Sequence, residues 1–243
     1  MSSPAAVVSQ RKLLAPVKHL VGILLTLGAG TAYNFFLFQR ANAPGPHAIP
    51  NDRSMVRACA VGIVVEWLML LFVWDGVRRH GGRMRDLTGG WWKSWKQFAL
   101  EIVIAAVFWS LWSASAELMW HLIGRPHGRP GGGLHFPPGS PLAITLWFIT
   151  CATAGFCEET IYRGYLQKQF HALTGSATFA LLTQAFLFGI GHVYQGYKPV
   201  VVIFVLGLQY GMLAHWQRNL RSAILSHAWS DMVAGYLKYL WGW

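Results

Sequence analysis

The chain has 243 residues, of which 54% are hydrophobic and only 12% charged. That charge is about half the ~25% of an average soluble domain, which excludes an ordinary soluble globule, a disordered chain and a disulfide-stapled secreted domain. The net charge of +11 raises nucleic-acid binding, but the basic residues stand between apolar runs rather than along one solvated face, so no nucleic-acid partner is expected.

Apolar runs fall at 19–38, 56–73, 98–123, 141–155, 178–193, 200–216 and 223–243. Most approach the ~20 residues a helix needs to cross ~30 Å of hydrocarbon, and no ten-residue alternating pattern suggests a barrel. The expected fold is therefore all-α, a polytopic transmembrane bundle of about seven spans. Arg11 and Lys12 before the first run and Ala41-Asn42-Ala43 after it resemble a signal peptide. The run is longer than the 7–15 residues of such a segment and Arg40 interrupts the cleavage region, so an uncleaved first helix is expected. The fourth run should continue as helix through residues 158–170. The loops around 39–54 and 124–140 are rich in Pro and Gly.

Arg78, Arg79, Arg83, Arg85, Lys93 and Lys96 share one interhelical loop. With the N-terminus inside, thirteen basic residues lie on the inner side against seven outside, the sense of the positive-inside rule. The expected location is the cell membrane, as a multi-pass protein with the bilayer as its surroundings. Cys59, Cys151 and Cys157 all lie in or beside apolar runs and read as small buried side chains. Residues 1–140 carry helices of unassigned role, and the chemistry concentrates in 141–243, within one membrane domain.

The acidic residues Glu66, Glu117, Glu158, Glu159 and Asp231 lie within apolar stretches or at their margins. An ionised carboxylate near the bilayer centre costs roughly 2.5–3.5 kcal/mol on insertion scales, so such residues default to a functional reading. In Cys157-Glu158-Glu159-Thr160-Ile161-Tyr162-Arg163-Gly164, Glu159 and Arg163 are four apart with the acid first, the favourable order for an ion pair. Glu158 points about 100° away and stays free to act as a general base. The next run ends in Phe188-Gly189-Ile190-Gly191-His192, and the last holds His227-Ala228-Trp229-Ser230-Asp231.

Glu-Glu-x-x-x-Arg, then Phe-x-x-x-His, then His-x-x-x-Asp resembles the signature of the CPBP family, which contains type II CAAX prenyl endopeptidases and bacteriocin-processing relatives. The resemblance covers roughly residues 141–243. It implies a glutamate-dependent intramembrane protease acting on a membrane protein or peptide, with no cofactor. Carried over, Glu158 and His192 activate a water, His227 and Asp231 face the oxyanion, and Glu159 and Arg163 order the first acid. Gly207-x-x-x-Gly211, a small-xxx-small helix contact, sits where such proteins often carry glycines. Asn is commoner at position 231. An ionised Asp cannot donate to an oxyanion, so Asp231 is either protonated or, the preferred expectation, holds the His227 ring in orientation.

Other chemistries use the same residues. The carboxylates and imidazoles could ligate zinc or iron, although no His-Glu-x-x-His is present. The same architecture could serve a non-catalytic scaffold or immunity-type binder. Glu66, Glu117 and His121 could relay protons in a transporter, although pairing of Glu117 with His121 is the expected reading. A Cys157 nucleophile is disfavoured by its acidic neighbours. Simple alternation of spans would put His192 up to ~15 Å from the depth of Glu158 and His227, so convergence requires a tilted or recessed fifth helix or a hydrated cavity.

Overall fold

The computed structural model describes residues 12–41, 52–125 and 140–241. Eight helices form among them: α1 Val17–Ala41, α2 Asp52–Arg79, a short α3 Met84–Thr88, α4 Trp95–Ile123, α5 Pro141–Thr174, α6 Ala177–Gly191, α7 Tyr197–Gln217 and α8 Arg221–Trp241. All seven expected apolar runs are thus helical. Five of these helices (α1, α2, α4, α5 and α7) are long and apolar enough to cross a membrane. The Pro- and Gly-rich loops lie largely outside the described residues, as do Gly242 and Trp243.

Local chemistry sets the helix ends. Ser94, Ser140 and Ser176 accept hydrogen bonds from Gln97, Ala143 and Phe179 backbone N–H groups at 3.2, 3.4 and 3.1 Å, satisfying donors that would otherwise be orphaned. Pro141 occupies the first turn of α5, where its missing N–H costs nothing.

The packing is inverted relative to a soluble protein. Large apolar side chains such as Val64, Leu68, Leu100, Val107, Leu111 and Leu122 are exposed, while Glu159, Arg163, Gln169 and Gln184 are fully enclosed. Such a surface has no stable place in water but matches a hydrocarbon solvent, with polar groups collected between the helices. Helix α5 is the central element, packed on α2 and α8, while α6 lies against α7 and α4 against α8.

Two close approaches set this arrangement. A Cβ on Gly155 would meet Ala228 Cβ and the Ile224 carbonyl oxygen at 2.9 Å, so α5 and α8 touch backbone to backbone. Gly207 seats Ala185 and Gly211 seats Leu181 and Gln184, making the anticipated small-residue seam between α7 and α6. The N-terminal half is bound into the same body. Gln169 Nε2–H donates to the Ala15 carbonyl at 2.6 Å and its oxygen accepts from Leu14 N–H at 2.8 Å.

The three cysteines are free and buried, as expected. Glu117 differs from expectation. Its side chain is 67% exposed and pairs with Arg125, not His121, because that face of α4 points away from the bundle.

Candidate active site

Helix α5 is not uniform. Thr160–Leu166 winds as a π-helix, closed by Gln167 N–H donating to the Tyr162 carbonyl, and every residue of this turn is buried. Such turns are rare and collect at functional sites. The wide turn lies immediately after Glu158 and Glu159 and carries Arg163.

Arg163 Nη1–H donates to Glu159 Oε1 at 2.9 Å, and neither side chain is exposed to solvent. The guanidinium carbon lies 4.2 Å from the Phe188 ring centroid and 5.5 Å from that of Tyr210, aromatic faces that attract a desolvated cation. The same Glu159 oxygen accepts a 2.8 Å hydrogen bond from His227 Nδ1–H. Glu159 therefore joins a permanent cation on its own helix to an imidazole on α8. Tyr210 stacks on the His227 ring at 5.5 Å and 17° and is itself hydrogen-bonded to Ser226 and Ser230. The ring is fixed on an edge and on a face.

With Nδ1 committed to Glu159, His227 presents Nε2 to the other acids. Glu158 Oε2 lies 3.8 Å from it and Asp231 Oδ2 3.6 Å. Glu158 is 20% and Asp231 38% exposed at the side chain, against 4% for His227. Glu158 Oε2 is buried without a hydrogen-bond partner in the protein, although buried polar atoms are nearly always satisfied. Asp231 faces Nε2 beyond hydrogen-bond distance, and the hydrogen bond to the His227 ring is made by Glu159 at Nδ1.

His192 caps α6, and its Nδ1–H donates to the Phe188 carbonyl at 2.8 Å. A carbonyl oxygen only accepts, so this ring too has its Nδ1 proton tied down and Nε2 available. The Phe188 ring stands 4.9 Å from His192 and 5.9 Å from His227, and Asp231 is within Coulombic reach of both imidazoles. Helix α6, which His192 caps, is short. Fifteen residues of α6 span only ~22 Å at 1.5 Å each, less than the ~30 Å hydrocarbon core. The chain then turns through a 3₁₀ segment, Val193–Gln195, into α7.

Two contributors come from outside the sequence motifs. Glu66 on α2 lies within Coulombic reach of Glu158, His227 and Asp231, and its Oε2 is buried without a hydrogen-bond partner. Asn34 on α1 donates to the Gly191 carbonyl at 2.7 Å, holding the end of α6 beside His192. The sequence signal for Glu66 was its acidic side chain inside an apolar run. Asn34 gave no comparable signal. Four carboxylates, two imidazoles and one guanidinium thus come together from four helices. Among the described residues, no set of three or more His, Cys, Asp or Glu side chains is arranged to hold a metal ion.

Residues 140–233 match the family model described as type II CAAX prenyl endopeptidase Rce1-like. That segment is Rce1-like. It contains Glu158, Glu159, Arg163, His192, His227 and Asp231, and the family is the one the spaced motifs resemble. No curated protein and no solved structure matches the chain. The membrane character follows from the apolar helices, and residues 140–233 are similar to the endopeptidase family that the model describes.

Proposed function

We propose that the protein is a cell-membrane endopeptidase that hydrolyses a peptide bond of a membrane-associated protein or peptide with a water activated by Glu158. The observation that carries this reading is the buried, unpartnered Glu158 Oε2 facing His227 Nε2 across 3.8 Å. One hydrogen-bonded oxygen can bridge that separation. Glu158 and His227 belong to different helices, and the far nitrogen of His227 is already held by Glu159.

In the proposed reaction Glu158 takes a proton from the bridging water as its oxygen bonds to the carbonyl carbon. The carbonyl oxygen becomes an oxyanion opposite the Nε2 edges of His227 and His192. Glu158 then returns the proton to the amide nitrogen as the C–N bond breaks, leaving a carboxylic acid and an amine. Arg163 compensates Glu159, which leaves Glu159 free to hold the imidazole. Asp231 lies on the more exposed side, where substrate and water enter. Groups already fixed in a low-dielectric site need no reorganisation when charge develops, and this is where the rate gain arises. General-base catalysis of this kind contributes about 10²–10⁴-fold.

Comparison of native membrane proteomes from cells carrying the wild type or Glu158→Gln tests the reading. New N-termini present only with the wild type support it. Identical N-terminal profiles, with both proteins inserted at equal levels, would refute it and favour a binding protein.

A further inference from the structure

A cavity of about 190 Å³ opens between the end of α5, the start of α6 and the corner joining α7 to α8. Its lining includes Arg163, Gln167, Lys168, His171, His215 and Arg218, and no acidic side chain. This volume is about that of six waters of ~30 Å³ and is smaller than the ~300–1,000 Å³ of a drug-sized site. The space suits a compact anion.

Three observations mark it as more than a basic surface. First, the space is a cavity bounded by three chain segments, and Lys168, His215 and Arg218 border it with no acidic side chain among them. Second, Arg218 holds φ +55°, the one non-glycine residue with positive φ among the described residues. Helices usually place glycine at this capping position, and strain retained at a non-glycine residue marks a site where the side chain matters. Third, Lys168 is positioned by Nζ–H donation to the Asp86 and Leu87 carbonyls, both at 2.8 Å. Those bonds leave the third ammonium N–H free. The Asp86 carboxylate is itself engaged by the Arg83 N–H.

The cavity lies at the same end of the bundle as Arg78, Arg79, Arg83 and Arg85, because Lys168 and Leu220 both bond to α3 carbonyls. Trp216, beside His215, is 72% exposed, and aromatic residues of this kind settle at headgroup level.

We propose that this cavity binds a phosphate anion, supplied by the headgroup of an anionic phospholipid. Lys168 and Arg218 supply the cationic groups of its lining and His215 a further imidazole.

The test uses the purified full chain in nanodiscs of phosphatidylglycerol or phosphatidylcholine, with retained lipid counted by native mass spectrometry. Arg218→Gly relieves the positive φ, so the variant keeps its fold, and His215→Gln provides an independent second change. The wild type retains phosphatidylglycerol in preference to phosphatidylcholine, and each variant weakens that retention about tenfold, the equivalent of one charge-assisted hydrogen bond. Equal retention of the two lipids, or equal retention by wild type and both variants, overturns the lipid assignment. A parallel arm adds inorganic phosphate to delipidated protein in detergent. Variant-sensitive thermal protection there, without lipid retention, keeps the site but makes its ligand a soluble phosphate. No response in either arm overturns the site itself. The readout is binding, so it stands or falls separately from the protease reading.

Discussion

Replacing Glu159 by Gln removes the one negative charge hydrogen-bonded to both Arg163 and His227. Both members of the Arg163–Glu159 pair are wholly enclosed, so the cation left behind is buried and uncompensated. Breaking such a pair from one side costs about 3–5 kcal/mol, whereas replacing both members with residues of similar volume is often neutral. Arg163→Met should be comparably damaging, because it strands Glu159, while the new side chain keeps apolar contact with the Phe188 ring that now lies beneath the guanidinium. The double variant Glu159→Gln/Arg163→Met should therefore cost no more than either single change, a coupling of about 3 kcal/mol. Denaturant titration in detergent micelles, followed by tryptophan fluorescence from the thirteen tryptophans, reads all four stabilities. Additive effects, within about 0.5 kcal/mol, would refute the claim that these two charges form one unit.

Further outcomes follow from the same geometry. Asp231→Asn should retain cleavage within about tenfold, because Glu159 and not Asp231 holds His227 Nδ1; a loss approaching the 10²–10⁴-fold of a general base would contradict that. Asn34→Ala leaves the Gly191 carbonyl without its side-chain donor and should cost about 1 kcal/mol of stability. It should also lower turnover several-fold by loosening His192, and unchanged kinetics would disconnect α1 from the site. Treatment with a chelator should leave cleavage intact, since the proposed step uses water and protein groups alone; loss of activity restored by added metal would replace this mechanism.

The helices were legible because burial in lipid demands long, nearly uncharged runs, and those runs can be read without tertiary information. The Glu159–Arg163 pair was legible for a similar reason, as four-residue spacing is a local property of a helix. The partners of His227 were not. Asp231 lies four residues away on the same helix and was the obvious candidate, yet the bond is made by Glu159, sixty-eight residues distant in sequence. Which helix faces which is decided by close approaches such as Gly155 against Ala228, and no periodicity reports them. The π turn was equally hidden, because Thr160–Leu166 carries no proline and its one glycine, Gly164, does not by itself announce a widened turn in a fully buried segment. Glu66 was visible as an acid out of place, but its membership of this cluster depends on α2 packing against α5.

The proteome comparison supplies a cleavable peptide, and the most direct test is then the turnover of that peptide by purified wild type and Glu158→Gln in the same bilayer. Unchanged unfolding behaviour together with a fall in kcat of about 10²–10⁴-fold is the expected result. A variant that still cuts the same bond at a rate near that of the wild type would show that the carboxylate opposite His227 does not make the nucleophile.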